Sequence, residues 1–62
     1  MTRRFANQLH NGDEVTIKQT GEVCKVLQVS KDTDLGLGRT ATMIAVQTKR
    51  DGYQEYQHTL LK

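Results

Sequence analysis

Apolar and polar residues alternate through much of this chain. In residues 11–29, NGDEVTIKQTGEVCKVLQV, Val15 and Ile17 alternate with Glu14, Thr16 and Lys18. That period of two marks a strand with one buried face. Asn11-Gly12-Asp13 before it and Thr20-Gly21-Glu22 after it are turn sequences, because Asn and Gly tolerate positive φ. In the following EVCKVLQV the phase slips. Cys24 and Val26 share one face, while Val23, Lys25, Leu27 and Val29 share the other. A single β-bulge near Val26–Leu27 is expected to turn Cys24, Val26 and Val29 all inward. It would also bend the strand, as a very small barrel requires.

TATMIAVQT, residues 40–48, is rich in β-branched residues and predicts a third strand. YQEYQH, residues 53–58, predicts a fourth. A two-residue Asp51-Gly52 turn between them would put Val46 opposite Gln57. A three-residue Arg50-Asp51-Gly52 turn puts Val46 opposite Tyr56 and Thr48 opposite Gln54, with Gly52 in the left-handed last position. The second register is preferred. It turns Val46 and Tyr56 to the core and leaves Gln47, Tyr53 and Glu55 in water. HTLLK closes the chain, with Leu60 and Leu61 as a short turn or fifth strand that plugs the barrel. Residues 30–40, SKDTDLGLGRT, read as a mobile loop from their glycines and aspartates. Leu35 and Leu37 in it are expected to tuck back onto the barrel, or else to form an apolar tip offered to a partner. Gly-Leu-Gly-Arg, residues 36–39, lacks the strand–turn–helix context of a phosphate cradle, so a plain connection is the better reading.

Short strands, tight turns and no long helical pattern make the chain all-β: a small barrel of about five short antiparallel strands over residues 11–62, preceded by an N-terminal arm, residues 1–10. In that arm Phe5 and Leu9, four residues apart, are expected to pack one helical turn onto the barrel.

The pieces GDEVTIKQTGEVCKVLQV, MIAVQT and GYQEYQHTLL together resemble the SH3-like and KOW-type small barrels over roughly residues 11–61. That resemblance implies fold more than activity, since such barrels host many functions. KOW-type barrels usually carry a Gly near the position of Cys24. Two shorter resemblances imply function. YQEY at 53–56, after a GDEV strand, is similar to the V-Q-I-Y motif of the plasmid type II dihydrofolate reductases, matching at Gln54 and Tyr56 and differing at Tyr53 and Glu55. It implies an oligomeric enzyme, although that family's interface tryptophan has no counterpart here. TRRFANQLHNGDEVTI resembles the start of the carbon-storage-regulator RNA-binding proteins. It implies that Arg3 and Arg4 lie on a strand that contacts RNA.

Composition narrows the chemistry. Sixty-two residues make one small domain, with nine basic and seven acidic residues and a formal charge of +2. The excess is mild for a nucleic-acid binder, and Arg3–Arg4 and Lys49–Arg50 are the only adjacent basic pairs. The single Cys24 permits no intramolecular disulfide and fits a reducing, cytoplasmic compartment, its thiol buried and inert. No apolar run has the ~20 residues of a membrane helix. His10, His58 and Cys24 lack the paired spacings of a zinc site, so no metal or cofactor is expected. The resulting expectation is a non-catalytic binding module that docks a protein or a nucleic acid. A protein partner would use Leu35, Leu37, Glu55 and a strand edge. A nucleic acid would use Arg39, Lys49 and Arg50, with Tyr53 as a stacking surface. An exposed strand edge also suits a homodimer.

Overall fold

The computed structural model describes every residue except Asp51. It is a four-stranded antiparallel sheet in the order β1-β2-β3-β4, with a single-turn helix in front. The elements are α1 (Arg3–Ala6), β1 (Glu14–Thr16), β2 (Val23–Gly36), β3 (Arg39–Thr48) and β4 (Gly52–Gln57), followed by a 3₁₀ turn over His58–Leu60. The chain is therefore mostly β, and its described residues form four strands where about five were expected.

The anticipated bulge is present. Val26 pairs with Val46 and Gln28 with Ala45, so Leu27 is the extra residue. Cys24 and Val26 are buried below it, and Val29 packs against the core above it. From the other strands Val15, Ile17, Ile44 and Val46 complete the same interior, with Tyr56 partly buried against it.

The expected fifth strand shrinks to one bridge, in which Leu61 pairs with Ile17. Leu61 is fully buried, whereas Leu60 stays exposed. The backbone N–H of Lys18 donates to the Leu60 carbonyl, and that of Lys62 to the Thr16 carbonyl. This bridge requires a curled sheet. In a flat sheet β1 and β4 would stand three strand spacings, about 14 Å, apart. A 3₁₀ turn rising about 2 Å per residue cannot cover that distance. The terminal Met1 amine also donates to the Leu61 carbonyl at 2.6 Å, which ties both ends of the chain to the seam.

Thr42 locks the helix and the 3₁₀ turn to β3. Its N–H donates to His58 Nδ1 at 3.3 Å and its hydroxyl to Asn7 Oδ1 at 2.6 Å. Thr42 is completely buried and His58 nearly so, which makes His58 a packing residue. In the N-terminal arm Ala6 takes the buried position and Leu9 packs beside it, while Phe5 lies largely in solvent. The expectation for Phe5 fails because a four-residue helix has room for one inward side chain per turn, and the small Ala6 permits the closest approach.

Residues 30–40 are not a loop. β2 runs on to Gly36 and pairs with β3 through Thr33↔Ala41, Asp34↔Thr40 and Gly36↔Arg39. A two-stranded ribbon results, closed by Leu37 and Gly38 alone. Both have positive φ, +52° and +72°, the requirement of a tight hairpin turn whose twist matches the strands. Asp34 Oδ1 accepts the Gly36 N–H and steadies the turn. Neither leucine tucks back: Leu35 is about half exposed and Leu37 is 100% exposed.

The β3–β4 register also differs from expectation. Thr48 faces Gly52, Val46 faces Gln54, and Tyr56 faces Ile44. Gly52 has the expected positive φ, +73°, yet it stands as the first residue of β4. The part Asp51 plays in the turn lies outside the described residues. The difference is two residues, so every side chain keeps its face, and alternation cannot separate the two registers.

The Leu37 backbone carries strain that its side chain does not repay, since a leucine in the left-handed region is disfavoured. Leu37→Asn is therefore expected to stabilise the chain by about 0.5–1 kcal/mol in urea denaturation. A loss of stability would show that the leucine has contacts worth more than the strain.

Candidate functional site

The curled sheet uses one face for the core and leaves the other free. Pairing across it sets Glu14, Lys25, Gln47 and Tyr53 in one row, through Glu14↔Lys25, Lys25↔Gln47 and Gln47↔Tyr53. All four are exposed. Each owes its direction to the alternation that buries its neighbours: Lys25 sits between buried Cys24 and Val26, and Gln47 between buried Val46 and Thr48.

Lys49 flanks the row. Its backbone N–H donates to Glu22 Oε2 at 3.1 Å, which clamps the β3–β4 turn to the turn before β2. Glu14, Val23, Lys25, Gln47, Thr48 and Lys49 line a shallow hollow of about 410 Å³ there. Val23, also exposed, adds an apolar side chain to its lining. At the end of the row Tyr53 is 57% exposed, and its hydroxyl donates to Glu55 Oε1 at 2.6 Å. That hydrogen bond holds the neutral phenol and raises its pKa; slight burial and the Glu55 charge add to the shift.

Of the residues singled out in the sequence, Lys49, Arg50, Tyr53 and Glu55 fall at this end of the sheet. Arg39 does not. It lies nine residue steps along β3 from Thr48, about 30 Å at the rise of a strand. There it lines a separate cleft of about 520 Å³ beside the ribbon, with Arg3, Leu35, Leu37, Gln57 and Thr59.

Arg3 and Arg4 are on α1 and not on a strand, contrary to the regulator resemblance. The Arg3 guanidinium donates to the Thr40 carbonyl, to Thr40 Oγ1 at 3.1 Å and to Asp32 Oδ1 at 3.4 Å. It thus ties the helix to the base of the ribbon and is occupied. Arg4 is exposed beside Phe5. Glu14, Lys25 and Gln47 are the residues of the row that the sequence motifs did not single out. Lys25 was visible as a charged residue between two buried ones, but only the strand register sets it in one row with Tyr53, with Gln47 between them.

Cys24 lies beneath this face, fully buried, with Sγ 3.7 Å from Glu22 Oε2. Burial first, and the Glu22 carboxylate second, raise its pKa. Among the described residues no three of His, Cys, Asp or Glu group to hold a metal ion, and no helix is long and apolar enough to cross a membrane.

Two titrations check these environments. Glu55→Gln is expected to bring the Tyr53 phenol back down toward the ordinary tyrosine range near 10, seen by absorbance as one of two tyrosines ionising earlier. An unchanged curve would mean that the Tyr53–Glu55 bond does not form in solution. For Cys24, a raised folded pKa means stability that is complete below the unfolded thiol's value of about 8.5 and fades as pH climbs through the folded one. Its reaction with a disulfide reagent near pH 8 should accordingly run at the rate of unfolding. Rapid labelling of the native chain would place the thiol at the surface.

Set against known proteins, the chain matches no family model, no curated protein sequence and no solved structure.

Proposed function

We propose that this chain is a non-catalytic binding module of the SH3-like small-barrel type, and that its open sheet face binds single-stranded nucleic acid. The observation that carries the reading is the stretch Lys25–Gln47–Tyr53 of the cross-strand row, with Lys49 beside it and Glu14 at the row's far end opposite Lys25. Such a row combines what sequence-tolerant recognition of a single strand requires. An exposed aromatic gives a stacking surface, amines meet phosphates, and an amide offers donors and acceptors to base edges. The mild +2 charge suits a weak, salt-sensitive binder. The return of Leu61 to the edge of β1 supports the barrel assignment.

A second reading is favoured by one observation. Leu37 stands wholly exposed on a strained backbone at the tip of the ribbon, as a side chain held out to a protein partner would.

Anisotropy titration of labelled pyrimidine-rich RNA and DNA strands at about 50 and 200 mM salt decides between them. Binding is expected at the lower salt and should weaken steeply at the higher. Tyr53→Ala should weaken it by roughly tenfold at both salts, from lost stacking. Lys25→Gln and Lys49→Gln should each lower the salt slope by about one. No binding at the lower salt removes the nucleic-acid reading and leaves the ribbon tip as the docking site.

A further inference from the structure

The edges of this sheet are protected unequally. The β1 edge is covered by Leu61 and its flanking hydrogen bonds. The long outer edge of β2 is broken by register shifts at Val26/Gln28, Ser30/Thr33 and Asp34/Gly36, and it carries Lys31 and Asp32. Bulges and charges are the usual means of blocking edge-to-edge pairing. β4 has none of this. Its six residues pair with β3 in unbroken register, contain no proline or lysine, and carry Glu55 as their one charge. Among the described residues nothing pairs with its outer side.

We propose that β4 pairs antiparallel with β4 of a second copy of this chain, about a two-fold axis through Gln54. The register follows from side-chain chemistry. Residues directly opposite in an antiparallel pair share a face, so a two-fold axis normal to the sheet must pass through a residue of β4. Only axes through Gln54 or Glu55 align five residues of the strand. An axis through Glu55 sets two carboxylates against each other, which is unfavourable. An axis through Gln54 sets Tyr53 against Glu55 of the second copy, twice, on the open face. On the core face it sets the two Gln54 amides against each other and Tyr56 over Gly52. Gly52 has open space where a Cβ would stand, and an aromatic ring lying across a strand glycine is a favourable cross-strand partner. Tyr53 and Glu55 already bond within one strand, so both are held on the face where the second pair would meet. The two open faces would then form one eight-stranded surface with a Tyr53 on either side of its centre. This pairing stands whether or not that surface binds nucleic acid.

A residue on the two-fold axis meets itself, and this gives the test. Sedimentation equilibrium of the parent chain, without nucleic acid, is expected to show a reversible dimer with a dissociation constant in the micromolar range, since a single strand pair buries a small interface. Gln54→Glu and Gln54→Lys should each weaken self-association by roughly tenfold or more, because like charges then face each other. An equal mixture of the two variants should associate again, as a heterodimer. That recovery shows that both variants are folded. A parent chain that stays monomeric at about 1 mM overturns the proposal and leaves the β4 edge free for some other extended chain. A dimer that both variants leave unchanged, or a mixture that fails to recover, overturns the axis at Gln54.

Discussion

The extra residue between Val26 and Gln28, the first of three register shifts in β2, is the constraint on which the core depends. With strict alternation Val29 would face water, and the interior would end at Val26. The bulge restores the phase, so Cys24, Val26 and Val29 line one continuous apolar surface opposite Val46 and Ile44. It also bends the strand. A curled sheet is what lets the C-terminal segment reach β1. The continuity of the core from Cys24 to Val29 thus depends on one residue outside the ladder register.

Closure then rests on a few polar ties. A chain of 62 residues has little interior to spend on stability, and the helix and the 3₁₀ turn are too short to form alone. Thr42 supplies what they lack: one hydrogen bond to Asn7 and one to His58, both at a fully buried position. Arg3 does the same at the base of the ribbon, through Thr40 and Asp32. Residues that resemble functional groups in the sequence, a histidine and an arginine, are thus taken up in holding the ends of the chain.

What remains for function is surface. With one face of the sheet used for packing, the other carries an ordered row of glutamate, lysine, glutamine and tyrosine, and its end is fixed by the Glu22 clamp on Lys49. At the far end of the molecule the ribbon carries Leu37 with nothing packed on it. The two regions lie at opposite ends of β3, about 30 Å apart, so each is free to serve a different contact.

The strands, their inward faces and the bulge were legible in the sequence, because alternation with a period of two is a local property that the pleat reads directly. Val15, Ile17, Cys24, Val46 and Tyr56 all keep their expected faces. The same signal fails where neither face is buried. The ribbon over 30–40 has no apolar side and three register shifts in the strand that builds it, so its sequence looks like a loop although it pairs as strands. Register was beyond the sequence for a different reason: a slip of two residues leaves every face unchanged, and only pairing in three dimensions chose Ile44 over Val46 as the partner of Tyr56. The candidate site shares that limit. Lys25, Gln47, Lys49 and Tyr53 could each be read as exposed from their neighbours alone. Their meeting in one row, and the separation of Arg39 from them, was decided by which strands lie side by side.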